Sequence, residues 1–119
     1  MNSVESSKRI DRLSFYQEIL LDTINPIRFP WYRIIIEKGM ERAEVEEVYA
    51  LFEQLEERKE NIREAGMLDM TPLLFHYVGM LNSDLDPFMT AKALHDQGIH
   101  KSLTAELIEL MKEKEGAFK

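Results

Sequence analysis

The sequence predicts an all-α protein: an irregular array or bundle of about six helices, with one long charged helix in the middle of the chain. Apolar residues recur at three- and four-residue spacing along several segments. Gly39, Gly66 and Gly98 each follow such a segment, where a left-handed residue can end a helix. Proline or a short polar side chain stands where several of the helices would begin.

The composition indicates a single domain, residues 1–119, and narrows the chemistry. The chain has a net charge of −7 and no cysteine, which excludes disulfides and cysteine-ligated metals. The acidic balance argues against a broad surface for nucleic acid or anionic membranes. No apolar run approaches the roughly 20 residues that cross a bilayer, and the first residues lack the pattern of a signal peptide. We therefore expect a cytoplasmic protein with no role in a membrane.

The first helix is expected from about Val4 to Ile24. One face carries an apolar stripe that predicts a side packed on the core, formed by Ile10, Leu13, Tyr16, Leu20, Leu21 and Ile24. Phe15 and Ile19 lie one turn apart on a second face, among charged residues. This pair indicates either a helix covered on two sides within one chain or a contact between chains.

Asn25 and Pro26 are expected to end this helix, because the residue before a proline avoids the helical region. Pro30 suits the first turn of a second helix, where its missing N–H has no partner to lose. The following residues, Trp31 to Ile36, are apolar nearly all round. Three consecutive isoleucines also suit a buried strand, but no second strand candidate lies nearby, so we interpret the segment as a buried helix.

The long charged helix runs from about Arg42 to Ala65 and would span roughly 36 Å. Its apolar stripe consists of Val45, Val48, Tyr49, Phe52 and Leu55, with Ile62 one turn further on. Glu56 and Lys59 then occupy the angle of the stripe, so we expect the first half to be packed and the second half to be solvated. Its many glutamates mostly face away from the stripe, which is typical of a solvated face rather than of a di-metal site.

A fourth helix is expected to start with Thr71 as cap and Pro72 as first residue, and to run to about Leu81. Gly79 lies inside this apolar helix. A glycine there costs about 1 kcal/mol relative to alanine. We interpret it as a point of close approach between helices.

The last two helices would start at Asp86-Pro87 and at Ser102, with the fifth ending at Gln97. Helix, short turn and helix over Pro87–Lys112 could form a helix-turn-helix that touches DNA. The second helix of that pair carries glutamates beside its lysines, and Leu94 stands where a close crossing needs a small residue. Nucleic acid is therefore a disfavoured partner, and a small DNA-touching regulator is kept as an alternative.

Three groups of residues together resemble a known family: Arg9-Ile10-Asp11-Arg12-Leu13 with Tyr16, Phe29-Pro30-Trp31-Tyr32 with Ile36-Glu37-Lys38-Gly39, and Leu94 with Gln97-Gly98. Their order and spacing, over nearly the whole chain, are similar to the YhaI-like family, small uncharacterised helical proteins of Bacillus and its relatives. The resemblance implies an all-helical fold and a bacterial cytosolic protein, but no activity and no functional residues. Glu41 departs from the family, whose members tend to have Ser or Thr capping the long helix.

No catalytic, cofactor-binding or metal-binding residue is predicted. His76, His95 and His100 show no HExxH or ExxH spacing. No GxSxG elbow and no glycine-rich phosphate loop is present. We therefore expect a non-enzymatic protein without cofactors. A ligand binder or enzyme with a cryptic pocket, assembled from scattered residues, is kept as an alternative.

The methionine content is high, with seven in 119 residues. Six stand near corners or apolar faces: Met40, Met67, Met70, Met80, Met89 and Met111. Methionine fills irregular cores and also forms adaptable binding surfaces. We favour the core for these six.

The sequence as a whole favours a self-associating interaction or regulatory module. Phe15 and Ile19 are the candidate oligomer interface, with Trp31 as a neighbour, because a pair of large wet side chains flanked by further apolar surface is unusual. We expect a homo-oligomer, since closed symmetric assemblies are common among soluble proteins. An additional, unidentified protein partner is compatible with this expectation.

Overall fold

The computed structural model describes residues 2–25 and 27–117, with side chains described to residue 114. These residues form six α-helices and contain no strand, which confirms the all-α prediction. The helices are α1 (Ser3–Thr23), α2 (Pro30–Lys38), α3 (Arg42–Glu64), α4 (Thr71–Met80), α5 (Pro87–Asp96) and α6 (Lys101–Ala117). Pro26, expected to help end α1, lies outside the described residues.

The hydrophobic core is built by α2 to α6. Its fully buried large apolar side chains are Trp31, Phe52, Leu55, Leu73, Tyr77, Leu94, Leu103 and Leu107. No residue of α1 is buried. The molecule measures 62 × 26 × 26 Å with a radius of gyration of 18.0 Å, whereas a compact chain of this length has about 13–14 Å. α1 therefore projects from a core that the other five helices complete.

α2 is a helix, as predicted, but Trp31 is its one buried residue. Oε1 of Gln97, at the end of α5, accepts hydrogen bonds from the backbone N–H groups of Trp31 at 3.0 Å and Tyr32 at 3.3 Å. These are first-turn donors without helical partners. Trp31 is 0% exposed and donates from Nε1 to the Tyr49 hydroxyl at 2.9 Å. The three isoleucines are only half-buried, so the expected burial on all sides is wrong.

α3 begins at Arg42 with a glutamate in the capping position. The Glu44 carboxylate accepts a hydrogen bond from the Glu41 backbone N–H at 3.0 Å, so the glutamate one turn into the helix satisfies the backbone at this end. Val48, Phe52 and Leu55 are buried as expected. Leu51 is buried as well, which widens the packed face beyond the predicted stripe.

The second half of α3 is largely exposed, as expected, except on the side that carries Lys59. Lys59 is 7% exposed. Its Nζ lies 3.1 Å from Oε2 of Glu106 and 3.3 Å from Oγ of Ser102, both on α6. A charge can be buried when it is paired and hydrogen-bonded. The lysine in the stripe therefore marks where α6 covers α3.

α4 starts differently from the prediction. The helix begins at Thr71, after Met70, so Thr71 is not the cap. Oδ1 of Asp69 accepts from the hydroxyl of Thr71 at 2.6 Å and from its backbone N–H at 3.0 Å. These two hydrogen bonds hold the pKa of the exposed Asp69 carboxyl below its usual value. Apart from its chain neighbours and the backbone of its own helix, no described atom lies within 4 Å of the Cβ position that Gly79 lacks, so the expected close approach is wrong within this chain.

The helix corners follow the glycines. Gly39, Gly66 and Gly98 have φ of 63°, 76° and 80°, which confirms the left-handed stops. His100 has φ of 48°, and α6 begins at Lys101. Ser102 therefore lies inside α6 and does not cap it.

α5 is capped as predicted and is tied to α4. The Asp86 carboxylate accepts from the backbone N–H of Met89 at 2.7 Å. The Tyr77 hydroxyl donates to the Pro87 carbonyl oxygen at 2.7 Å, and burial raises the pKa of Tyr77 above its ordinary value. The start of α5 is thus fixed by the side chain of its cap residue, Asp86, and by a buried hydroxyl of α4.

Candidate interaction surface on helix α1

The predicted pair on α1 is exposed. Phe15 is 56% exposed and Ile19 is 46% exposed. The Phe15 ring lies beside that of Tyr16, with centroids 6.1 Å apart. Nothing else in the described chain covers the pair. The first of the two alternatives, a helix covered on two sides within one chain, does not describe this structure.

The main stripe of α1 is exposed as well, so its predicted packing on the core is wrong. Ile10 is 63% exposed, Leu13 56% and Leu20 60%. The reason is spatial: α2 to α6 already enclose one another, and α1 reaches only the outer side of α2. The apolar surface of α1 is therefore larger than the sequence indicates, since it includes both faces of the helix.

Trp31 is not part of this surface. It lies in the core, 0% exposed, against Tyr49. Two aromatic residues near it in sequence are exposed instead: Tyr32 is 48% exposed, Phe29 is 37% exposed, and their rings stack with centroids 6.0 Å apart. The sequence signal for the exposure of Phe29 and Tyr32 is that the segment at the start of α2 is apolar on nearly all sides, whereas the core covers only one of them.

A groove of about 590 Å³ separates α1 from α2. Its walls are Leu13, Tyr16, Gln17 and Leu20 on one side and Ile35, Ile36, Gly39 and Met40 on the other. Gln17 is the one wall residue with a polar side chain apart from the Tyr16 hydroxyl. The groove is thus an apolar trough whose α1 wall is the predicted stripe and whose α2 wall was not predicted as a surface.

One polar contact ties the C-terminal end of α1 to α2. Nη1 of Arg33 donates to the Leu21 carbonyl oxygen at 3.1 Å. Nε of the same guanidinium lies 2.8 Å from Oε1 of Glu37. A carbonyl near a helix C-terminus is a favourable place for a cation. This contact sets the width of the groove at one end and leaves the rest of α1 without a comparable anchor.

Charge is distributed unevenly along α1. Its N-terminal half carries Lys8, Arg9 and Arg12, which outnumber the acids in that half. Its C-terminal half carries Glu18 and Asp22 and no basic residue. The helix therefore has a basic end and an acidic end, and both flank the apolar surface.

His100 brings carboxylates together, as a cryptic site would require. Its Nδ1 lies 3.1 Å from Oε1 of Glu56, and its Nε2 lies 3.5 Å from Oε1 of Glu53. The ring stacks on Phe52 with centroids 5.6 Å apart. Both ring nitrogens and one ring face are therefore engaged within the chain. Among the described residues, no group of three metal-ligating side chains has the geometry to hold a metal ion.

The pair α5–α6 has the helix, turn and helix arrangement that the sequence indicates. Leu94 is fully buried where the two helices cross. The outer side of α6 exposes both bases and acids: Lys101, Glu109, Lys112 and Glu113. A DNA-reading helix needs an excess of donors and positive charge toward phosphate. This surface is mixed in charge.

The methionines lie at the surface more than in the core. Met67, Met80 and Met89 are 62%, 65% and 56% exposed. Met40, Met70 and Met111 are half-buried. Met40 and Met111 pack against the core, so the preference for the core is confirmed for these two and wrong for the other four. Met1 lies outside the described residues.

Two further findings concern the described chain as a whole. No described helix combines the length and the apolar character that spanning a membrane requires. Residues 2–112 match the family described as "Protein of unknown function (DUF1878)". The match extends from the start of α1 through most of α6, so it includes the projecting helix as well as the core. The chain belongs to this family.

Proposed function

We propose that the protein is a non-enzymatic interaction module that associates with further copies of itself through α1. The observation that carries the proposal is that a helix of 21 residues has no buried residue. Helices in proteins owe most of their stability to the packing of an apolar face. A helix left without that packing is stabilised when a second surface covers it.

The size of the uncovered surface supports association. Burying two large apolar side chains such as Phe15 and Ile19 contributes roughly 3–5 kcal/mol per subunit before the costs of association. The stripe on the opposite face adds Ile10, Leu13 and Leu20. Contiguous apolar surface on this scale is typical of a protein contact rather than of a solvated helix.

The proposal also includes the finer points that the sequence suggests. It takes the protein to be a bacterial member of the YhaI-like group. It also takes the protein to be cytoplasmic, which the absence of cysteine supports. It gives no role to nucleic acid, which the net charge of −7 supports. Whichever face of α1 stays uncovered after association is available to a different protein.

Light scattering of the full chain tests the proposal. We expect a mass above the 14.0 kDa of one chain at micromolar concentration. Two double variants then locate the association: Phe15→Glu with Ile19→Lys on one face, and Leu13→Glu with Leu20→Lys on the other. We expect at least one of them to run as a monomer.

A matched control keeps every apolar side chain of α1. Asp11→Asn with Glu18→Gln changes two polar groups of the same helix, and we expect this variant to associate like the wild type. A monomeric wild type contradicts the proposal. An oligomer that survives both charged double variants would show that α1 is not the associating element.

A further inference from the structure

The stripe of α1 has the spacing of a two-helix seam. Positions that alternate by four and three residues along one face are Ser6, Ile10, Leu13, Gln17, Leu20 and Ile24. Such a repeat keeps one face toward a single partner helix over its whole length. The stripe is also one wall of the groove beside α2. The seam and the groove are therefore the same surface.

This seam is self-complementary when two copies run in opposite directions. In an antiparallel pair centred near the middle of α1, Ile10 of one copy meets Leu20 of the other, and Leu13 meets Gln17. Every position of the seam then has a partner in the second copy, and the pairing is reciprocal. Reciprocal contact between identical surfaces is the property of a two-fold dimer.

Resting on the proposed self-association, we propose that the occupant of the groove is the α1 helix of a second copy of this chain, packed antiparallel. Each α1 lies between the α1 and the α2 of the other copy. The side chains of Ile35, Ile36 and Met40 then contact the partner helix. The result is a closed arrangement of two α1 and two α2 helices.

The exposed area is of the size that a small dimer interface needs. Ile10, Leu13, Tyr16 and Leu20 are each about half exposed or more, and the α2 wall adds the half-buried Ile35, Ile36 and Met40. At roughly 100 Å² for each of the first four side chains and about 50 Å² for each of the other three, the surface offers on the order of 550 Å² per copy, above the about 500 Å² per partner that a specific interface requires. The outer pair Phe15 and Ile19 remains available for another contact.

The position of α2 favours the antiparallel direction. α2 flanks only the part of α1 from Leu13 to Leu20. Reversal lets the α2 of the second copy approach the other part, around Ile10.

Engineered cysteines test the register, because the chain has none of its own. In the double variant Ile10→Cys with Leu20→Cys, each cysteine meets the other kind in the second copy, and we expect oxidation to give a covalent dimer on a denaturing gel. The two positions lie about 15 Å apart along one helix, beyond the about 4 Å between Cβ atoms of a disulfide, so no disulfide forms within one chain. In the antiparallel pair the same spacing separates Ile10 from Ile10 and Leu20 from Leu20 of the two copies. Each single variant should therefore remain uncross-linked.

The matched control places the cysteines on the other side of the helix. Lys8→Cys with Asp22→Cys has the same reciprocal register but lies opposite the seam, so we expect no covalent dimer. Cross-linking in this control alone would move the contact to the outer face and overturn the inference. Cross-linking of both single variants, Ile10→Cys and Leu20→Cys, would show a parallel pair and overturn it as well.

The outcomes separate this inference from the proposed function. A wild type that scatters as an oligomer while the Ile10→Cys, Leu20→Cys variant stays uncross-linked overturns the groove-seated pair and leaves self-association standing. A monomeric wild type overturns both. Far-UV circular dichroism of each variant confirms that the helices are intact, which is expected since both seam positions are at least 60% exposed.

Discussion

α1 and α3 are the two long helices of this protein, and they differ in what covers them. Both are amphipathic and exceed twenty residues. α3 buries Val48, Leu51, Phe52, Leu55 and Lys59, whereas α1 buries nothing. An apolar stripe therefore indicates which side of a helix needs a cover. It does not indicate whether the cover comes from the same chain.

The largest expected effect is a contrast between two leucines. Leu55 is 0% exposed in α3, and Leu55→Ala should lower the free energy of unfolding by about 2–5 kcal/mol, because a cavity remains. Leu13→Ala in α1 should leave the unfolding of the core unchanged within about 0.5 kcal/mol. Urea titrations at low and high protein concentration measure both.

The dependence on concentration sharpens this contrast. The effect of Leu13→Ala should appear only at concentrations where the chain associates, since the side chain is 56% exposed in the single chain. The loss caused by Leu55→Ala should be the same at every concentration. A Leu13→Ala variant destabilised as much as Leu55→Ala at high dilution would mean that α1 packs on the core.

The second prediction concerns the charge that α3 buries. Glu106→Gln should destabilise the fold by about 1–3 kcal/mol, because the Lys59 ammonium then lies buried opposite an uncharged partner. Lys59→Met removes that charge, keeps a long apolar side chain and should cost less. Thermal unfolding of the two variants gives the order. A larger loss for Lys59→Met would show that the ion pair itself is a net source of stability.

Much of the fold could be predicted from local signals. The left-handed glycines end α2 and α3 and form the corner after α5, and Asp86 caps α5, because these effects depend on a few neighbouring residues. The burial of Lys59 was not predicted, since its partners Ser102 and Glu106 are far along the chain. The signal was present in its position at the angle of the α3 stripe, which was interpreted as solvation.

The candidate surface was predicted only in part. Phe15 and Ile19 are exposed, but Trp31 is buried because Gln97 and Tyr49 bind its two N–H groups. Neither contact has a local sequence signal. The groove beside α2 was missed for a related reason: the stripe of α1 was assigned to the core, so no free surface was expected there.

A third prediction concerns α2, the helix between the two regions. Gln97→Ala removes the acceptor for the N–H groups of Trp31 and Tyr32 and should destabilise the protein by about 1 kcal/mol. Gln97→Glu keeps an acceptor and adds a negative charge near a helix N-terminus, so it should lose less. Hydrogen exchange of the Trp31 and Tyr32 amides reports the local effect. Equal exchange in the wild type and Gln97→Ala would contradict the cap.

The smallest expected effect compares two glycines, one at a corner and one inside a helix. Gly98 has φ of 80°, so Gly98→Ala should destabilise the fold by about 1 kcal/mol through strain at Cβ. Gly79 lies within α4 with open space around the Cβ position, so Gly79→Ala should stabilise the isolated chain by about 0.4–1 kcal/mol. Chemical denaturation at high dilution measures both.

The concentration dependence of the Gly79→Ala effect tests for a second contact surface on α4. Phe75 and Val78 are exposed beside Gly79. If Gly79→Ala stabilises the dilute chain but this gain disappears as the protein is concentrated, the side of α4 that carries Gly79 is in contact with another copy. That outcome would give the core a second uncovered face and reduce its contrast with α1. A gain that is independent of concentration would leave α1 as the helix that sets association.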